Sequence, residues 1–425
     1  MPPHGEGVLS PFDLNLRHLR GLLAVCDLGS ISGAAEALSY SQPALTQGIV
    51  KLEALLGQSL FERLPHGMAP TAAGRVLAER VRVAFEHLDV GIQWLKLPPE
   101  FQPDRRLSMT QLRAFLALAD AGGFGSAAQA VGLSQTAVHR AVRDLEENLE
   151  RRLVERRGRG VSINFLGKRF ARSCRLACHE IEAAFFELGI DTSRNAITLG
   201  TTPLARPSLV PEAMARMVAG EPSASIQVFE GSWGELVELL RDGLIDLIVG
   251  ELPPHESPDL VKTALYYESL VIVAGRQHPL AGVPAPSLET LATYPWIIGP
   301  DSSPLRSEWE RLFASGRRPA APVECGSIMI VGRLLTSSQL LTLATPGQVA
   351  LQIRSGLLAR IGEPLQARRH TIGLTVRHNW RPTAVQKRFL LRLQEAVADV
   401  GATPLAVEWN TVGASPVAGG SRAAL

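Results

Sequence analysis

Residues 30–63 read SISGAAEALSYSQPALTQGIVKLEALLGQSLFER, and residues 123–156 read GFGSAAQAVGLSQTAVHRAVRDLEENLERRLVER. At an offset of 93, Ala34-Ala35 falls on Ala127-Ala128, Ser41-Gln42 on Ser134-Gln135, Ala44 on Ala137, Leu52-Glu53 on Leu145-Glu146 and Glu62-Arg63 on Glu155-Arg156. The same register runs upstream, where Leu19-Arg20 and Leu23-Ala24 meet Leu112-Arg113 and Leu116-Ala117, and downstream, where Gly74 meets Gly167. A single gapless register over roughly 60 positions marks a repeated module.

Each copy reads as helix, helix, turn, helix. In copy one Leu16, Leu19, Leu22 and Leu23 share a face, and Gly29-Ser30 breaks the chain. Ser30 is placed to cap a short helix whose Ala34, Ala35 and Leu38 turn inward, the alanines being small enough for a close crossing. Ser39-Tyr40 turns the chain, and Ser41 caps a third helix from Gln42 to about Leu56. On it Leu45, Ile49, Leu52 and Leu56 recur at helical spacing, while Gln42, Thr46, Gln47 and Lys51 share the other face. That division suits a recognition helix, with one face for the core and one of hydrogen-bonding side chains for base edges. Leu60–Arg63, a glycine-containing turn and Thr71–Gly74 read as a short β-wing returning into a long helix.

Ser30–Ala35, Ser41–Thr46, Leu52–Gly57 and Leu60–Arg63 together resemble the winged helix-turn-helix of the LysR-type transcriptional regulators, and copy two resembles the same domain. The resemblance implies a multi-domain chain: two winged helix-turn-helix domains with long linker helices, then an α/β bilobal effector domain like the periplasmic solute receptors. The expected map is a first head at 13–74, linker helix 75–97, Pro-rich hinge 98–106, second head 107–167, linker helix 168–190, effector domain 195–400 and a flexible tail 401–425. It also implies a cytoplasmic, nucleoid-associated, non-enzymatic regulator without a cofactor. Its partners would be double-stranded operator DNA, a small-molecule effector, further copies of itself as dimer or tetramer, and RNA polymerase. A dimer would carry four reader heads and a tetramer eight, so the operator is expected to be long or to hold two kinds of half-site.

In copy one the DNA-contacting candidates are Ser41, Gln42, Pro43, Thr46, Gln47, Lys51 and Arg63. Glutamine pairs bidentately with adenine, and Pro43 and Ala44 suit a thymine methyl. In copy two they are Ser134, Gln135, Thr136, His139, Arg140, Arg143 and the wing arginines Arg156, Arg157 and Arg159. Arg140 stands where copy one has Gln47 and favours guanine or a phosphate, so the copies should read different sequences. Charge divides unevenly: residues 13–75 hold five basic and five acidic side chains, residues 140–175 eleven and five. Copy two is therefore expected to supply more of the salt-dependent affinity. It departs from the family at Glu150 in place of Gly57, Val154 in place of Phe61 and Asn164 in place of Thr71, which leaves open a looser head, or a spacer.

Phe170, Cys174, Ala177, Ile181, Ala184 and Leu188 recur at 4-3-4-3-4, a coiled-coil seam, and Leu77, Val81, Ala84, Leu88, Ile92 and Leu95 approximate another. Each seam either packs on its own module or pairs with its mate in a second subunit; the family resemblance implies dimerisation. Pro98–Pro103 cannot be helix and reads as a short stiff hinge.

From Ile197 strands and helices alternate as βαβαβ, and VIVAGRQHPLA (271–281) resembles the family's crossover strand and the segment after it. Effector-binding candidates are Thr201, Thr202, Arg206, Ser232, Trp233, Ser303, Thr345 and Pro346. Thr201-Thr202 ends a strand, where α/β clefts form. Ser232 with Glu235, Thr345 with Gln348, and Ser303-Pro304 read as helix starts, whose N–H groups favour an anion such as a carboxylate. Arg206 would be its charge partner, Trp233 a ring to stack on; each of these also fits a purely structural role.

Charge totals of 43 basic and 41 acidic residues leave no net field to name a partner, and four cysteines without a Cys-x-x-Cys pair exclude a disulfide framework and a zinc ribbon. The N-terminal residues show no signal peptide, and no apolar run is long enough to cross a membrane. Cys174, Cys178 and His179 cluster on one helix, yet a zinc site needs a fourth ligand and Cys174 already lies on the seam. No Gly-x-Ser-x-Gly, His-Glu-x-x-His or P-loop pattern is present, which weighs against an enzyme. The alternatives are an architectural DNA-binding protein whose receptor domain has lost its ligand, and an enzyme or transport receptor built on the bilobal fold.

Overall fold

The computed structural model describes residues 9–65, 67–98, 100–158, 160–190, 196–205, 207–301, 303–399 and 403–404. Arg159 and Arg206 fall outside them, as does nearly all of the expected tail, and the Arg157 side chain is likewise not described. The chain divides into two compact units, residues 1–194 and 195–425.

In the first unit the repeat holds to the residue. Copy one comprises α1 (Leu16–Leu28), α2 (Ile31–Leu38), α3 (Gln42–Leu56), β1 (Phe61–Leu64), β2 (Gly67–Pro70) and α4 (Ala72–Trp94). After α5 (Pro103–Arg106), copy two comprises α6 (Met109–Ala121), α7 (Phe124–Val131), α8 (Gln135–Leu149), β3 (Val154–Arg157), β4 (Gly160–Ile163) and α9 (Phe165–Glu187), every bound shifted by 93. The local bonds repeat too. Glu53 accepts from the Leu60 N–H at 2.7 Å and Glu146 from the Leu153 N–H at 2.7 Å, fixing the start of each wing. Asp27 pairs with Arg82 and Asp120 with Arg175.

Two of the departures in copy two keep the local geometry of copy one. Asn164 caps α9 through the Gly167 N–H and donates to the Arg152 carbonyl, as Thr71 caps α4 through Gly74 and donates to the Ser59 carbonyl. Glu150 ends α8 in the left-handed region, φ 51°, where Gly57 ends α3 at φ 65°.

Both seams are filled inside the chain: α4 packs along α9, and buried residues of the two copies form one core. Each helix also packs on its own module, α4 on α1 and α9 on α6, and the two seams meet each other within the chain, a third arrangement beside the two expected. The duplication has placed the complementary seam within reach on the same chain. The arrangement is a pseudo-two-fold pair. Gln58 donates to the Leu188 carbonyl at 2.7 Å, and its counterpart Arg151 donates to the Leu95 carbonyl, counterpart of Leu188, at 2.9 Å. The 3-10 turn Pro11–Asp13 leading into copy one packs on α6 and α9, while α5, leading into copy two, packs on α1. The buried Phe170 ring sits in the α4–α9 contact, beside Gly91 of α4 as well as Phe115 of its own head.

The expected hinge is also corrected. Pro103 is the first residue of α5, a position where its missing N–H costs nothing. Asp104 is buried, accepts from the Tyr40 hydroxyl at 2.6 Å and faces Arg20 at 3.7 Å, while Arg105 donates to the Leu38 carbonyl at the end of α2. The connection is thus pinned to copy one.

The second unit is a mixed α/β sheet. In chain order its elements are β5 (Ala196–Thr201), α10 (Leu209–Gly220), β6 (Ser225–Glu230), α11 (Trp233–Arg241), β7 (Leu247–Glu251), β8 (Leu260–Gly275), α12 (Leu288–Leu291), β9 (Trp296–Ile298), α13 (Pro304–Leu312), β10 (Val323–Glu324), α14 (Ile328–Thr336), β11 (Leu341–Ala344), α15 (Pro346–Arg354), β12 (Leu358–Arg377), α16 (Ala384–Asp399) and β13 (Thr403–Pro404). The strand order is β10-β9-β11-β8-β12-β7-β5-β6, with β13 paired to β8. The long antiparallel strands β8 and β12 run through both lobes, their register breaking between Ile361 and Leu365 and between Leu365 and Arg369. Leu236, Leu240 and Ile248 form the core of the β5–β7 lobe; Leu270, Trp296 and Phe313, and Val273, Val331 and Leu335, form two cores in the β9–β11 lobe.

Candidate functional site

The third helices of the two heads, α3 and α8, start alike. The Ser41 hydroxyl accepts from the Ala44 N–H at 3.3 Å, and Ser134 accepts from the Ala137 N–H at 3.1 Å, ordering the first turn of each helix. In each helix the apolar stripe is buried: Leu45, Ile49, Leu52 and Leu56 in α3, and Val138, Val142, Leu145 and Leu149 in α8. Gln42, Pro43, Thr46, Gln47 and Lys51 on one helix and Gln135, Thr136, His139, Arg140 and Arg143 on the other are solvent-facing.

The two faces differ in chemistry. The Thr46 hydroxyl donates back to the Gln42 carbonyl, leaving Gln42 and Gln47 as the amides of copy one. In copy two His139 tilts against Phe124, its ring 5.0 Å away. Arg140 lies 3.9 Å from Asp144 and Arg143 2.8 Å from Glu147, exposed pairs worth about 0.3–0.5 kcal/mol that a phosphate can displace. On the wings Arg63 and Arg156 are exposed.

In the second unit a cavity of about 250 Å³ opens between the lobes. Of the sequence candidates, Thr202, Ser232, Trp233 and Ser303 line it. Thr201, Thr345 and Pro346 do not. Thr201 is fully buried in β5, and Thr345 is fully buried in a reciprocal cap with Gln348 that starts α15. Pro346 is the exposed first residue of α15, and Gln348, which does line the cavity, donates to the Pro203 carbonyl and ties α15 to the end of β5. Ser232 caps α11 reciprocally with Glu235, whose carboxyl is held below its ordinary range by the Ser232 hydroxyl and N–H. Ser303 makes no side-chain cap bond at the start of α13.

Sequence reasoning missed Glu251, Trp309 and Cys325, which come to the cavity from β7, α13 and the end of β10. Trp233 and Trp309 both line it, and each indole N–H is buried without a hydrogen-bond partner among the described residues. Indole N–H is a donor only, so both await an acceptor. Among the described lining residues there is no lysine or arginine, while Glu235 and Glu251 bring carboxylates. Glu251 is paired with His370, and the Thr202 hydroxyl accepts from the Glu251 N–H at 3.2 Å. Cys174 and Cys178 are fully buried in the head core, where burial pushes both thiols well up.

Among the described residues no helix is long and apolar enough to cross a membrane. Residues 16–75 and again 109–168 match the family profile described as "Bacterial regulatory helix-turn-helix protein, lysR family", and residues 191–398 match "LysR substrate binding domain". The "HTH-type transcriptional regulator GalR" of Pseudomonas putida is 30% identical over 368 residues, 85% of this chain and 92% of its own length. The "HTH-type transcriptional regulator PcaQ" of Agrobacterium fabrum is 26% identical over 70% of this chain and 97% of its own. Among solved structures, a full-length OxyR variant from Pseudomonas aeruginosa covers 71% of this chain and 98% of its own at 18% identity, with a TM-score of 0.54, a likeness of fold alone. Two reader heads and a bilobal receptor, each matched in its own stretch, place the chain in the LysR family of DNA-binding transcriptional regulators.

Proposed function

We propose that this regulator reads an operator through both heads and is switched by a small organic acid held between the receptor lobes. The observation that carries the first part is that α3 and α8 present capped, exposed polar faces at identical positions of the repeat. Gln42 and Gln47 would face adenine, while Arg140, Arg143 and the wing residues Arg156, Arg157 and Arg159 would face guanine or phosphate. For the effector, the unpartnered N–H groups of Trp233 and Trp309 and the uncapped start of α13 at Ser303 supply donors for a carboxylate, with Arg206 as its expected charge partner. Glu235 and Glu251 would accept from a hydroxyl or ammonium on the same ligand. A ligand touching both lobes shifts their equilibrium only by its differential affinity for the closed state. In this reading the protein acts in the cytoplasm as a dimer or tetramer and touches RNA polymerase at its promoter.

Footprinting with the full chain on the DNA upstream of its own gene tests the first part. A protected site with two dissimilar half-sites is the expected result, and absence of any sequence-dependent protection overturns it. Thermal-shift screening against hydroxy, amino and aromatic acids tests the second; stabilisation by none of them leaves the receptor lobes without this role.

A further inference from the structure

We infer that the two heads of one chain form a complete and unequal DNA-reading pair, so that a single chain grips two unlike half-sites without borrowing a head from a second copy. This rests on the proposed DNA reading. It goes beyond it by assigning which heads pair and which residues enforce the choice.

The choice is written into the α4–α9 contact. Arg80 on α4 is buried, and its guanidinium holds Glu180 at 2.9 Å and both oxygens of Glu187 on α9. Burial alone would pull the guanidinium down, but the two carboxylates outweigh it and hold Arg80 above its ordinary range. The repeat makes this triad one-sided. Ser173 is the counterpart of Arg80, and His87 and Trp94 are the counterparts of Glu180 and Glu187. Two first heads paired through the same surface would set each Arg80 against His87 and Trp94, with no carboxylate at those positions. Two second heads would set Glu180 and Glu187 against Ser173, with no cation there. A buried charge stripped of its partner is strongly unfavourable, so both like pairings are selected against.

Packing makes the same selection independently. Gly91 of α4 lies so close to α9 that a Cβ built on it would stand 2.7 Å from the Ser173 Cβ and 3.2 Å from the Phe170 ring. Its counterpart in copy two is Ala184. A pair of second heads would therefore place a methyl where the helices leave no room. Head one with head two is the arrangement that satisfies both charge and space.

Pairing within one chain follows from the connection. It leaves α4 at Leu95 and Lys96, whose carbonyls accept from Arg151 of head two, and ends in α5, whose Asp104 and Arg105 are bound to Tyr40, Arg20 and Leu38 of head one. The joining segment is thus fastened at its two ends, at Leu95-Lys96 to head two and at Asp104-Arg105 to head one. With Gln47 in one reading helix and Arg140 in the other, the pair is built for an asymmetric site.

A charge swap on the full chain tests this. Arg80→Glu and the double variant Glu180→Arg/Glu187→Arg are each expected to bind the footprinted operator at least about tenfold more weakly than wild type while still binding nonspecific DNA. The triple variant Arg80→Glu/Glu180→Arg/Glu187→Arg, with the reversed charges on one chain, is expected to recover to within about threefold. Co-expressing the Arg80→Glu chain with the Glu180→Arg/Glu187→Arg chain is the decisive arm. Pairing between chains would restore complementary charge at every interface and recover binding; pairing within a chain would not. Recovery in the mixture equal to the triple variant overturns the inference, and so does wild-type affinity of either starting variant. Should those variants fail to fold, a folded triple variant, checked by circular dichroism, that binds only at the nonspecific level overturns it as well. A wild-type chain with no operator preference at all would instead sink the proposed DNA reading, a distinguishable failure.

Discussion

Replacing Glu150 by glycine should stabilise the head unit. Glu150 follows α8 with φ 51° and ψ 32°, while Gly57 follows α3 with φ 65° and ψ 21° and has nothing within 4 Å of a built Cβ. The second copy has kept the backbone turn and lost the residue that adopts it without strain. A non-glycine residue in this region carries about 1–2 kcal/mol of steric cost, and glycine restores about 0.5–1 kcal/mol of unfolded-chain entropy against that gain. The net is a stabilisation of about 0.5–1 kcal/mol, or about 1–4 °C on the melting transition of a unit this size. The backbone bonds of this turn, from the Glu150 N–H to the Glu146 and Glu147 carbonyls, are unaffected by the change. Calorimetry of the full chain reads the shift. Glu150→Ala serves as control, since it removes the charge and keeps the strain, and it should leave the transition where it is. Gly57→Glu should lower the transition by a similar amount. A Glu150→Gly chain that melts lower than wild type, or an alanine variant that rises as far as the glycine one, would refute the backbone argument.

Changing Arg156, Arg157 and Arg159 together to alanine should flatten the dependence of log operator affinity on log salt by up to about 0.9 per lost phosphate contact, whereas Arg63→Ala should do so by no more than one contact; an unchanged slope removes the second wing from the DNA. Trp233→Phe keeps a ring and deletes the N–H donor, and should weaken an acceptor-bearing effector about twofold to tenfold in titration calorimetry, the range of one hydrogen bond; unchanged affinity would place the ligand's acceptor elsewhere. Glu268 is buried on β8, accepts from the Gly347 N–H, and lies by Thr345 and His370; burial raises its carboxyl above the ordinary range despite those partners. The folded receptor therefore binds more protons than the unfolded chain above the normal carboxylate range, and this group's contribution falls as pH rises toward and through its folded value. Glu268→Gln should lose part of any fall in receptor melting temperature as pH rises above the ordinary carboxylate range, and an unaltered profile counts against a raised carboxyl there.

The third helix of each head was legible because three signals agree, whereas the long helices α4 and α9 begin and end three residues before the expected 75–97 and 168–190. The apolar stripe at Leu45, Ile49, Leu52 and Leu56, the serine caps and the offset of 93 each fix the same helix. The wings were legible in Leu60–Arg63, the glycine-containing turn and Thr71–Gly74, while their corner bonds were not; the structure explains why Asn164 substitutes for Thr71, since each caps its helix, at Gly167 or Gly74, and donates to a carbonyl just before the wing, Arg152 or Ser59. Less legible was α5, because a helix of one turn has no periodicity and prolines read as breakers; the buried Asp104 that seats it is a single polar residue whose partners are distant in sequence. In the receptor the strand end at Thr202 and the helix cap at Ser232 were within reach of pattern reading. Glu251 and Trp309 were not, since a strand-end carboxylate and a buried helix tryptophan look like ordinary surface and core until the lobes bring them together.

The seams show where such reading stops. Periodicity establishes that a helix face is covered and says nothing of what covers it. Here the information lay in the repeat itself, in a comparison of the copies for difference rather than likeness. Positions that match across the repeat, such as Ala78 and Ala171 or Ala84 and Ala177, satisfy any pairing of heads, whether of like with like or of unlike. Positions that diverge in a complementary sense, Arg80 against Ser173, Trp94 against Glu187 and Gly91 against Ala184, satisfy one pairing only. A duplicated module selected to dimerise with itself keeps its interface symmetric, since every substitution is met by its own image. Once both copies sit on one chain that constraint lapses, and charge and size can be divided between the two sides. The buried Arg80 triad and the close approach at Gly91 are divided in this way, which is why the difference between the copies carries more about their assembly than the likeness that revealed them.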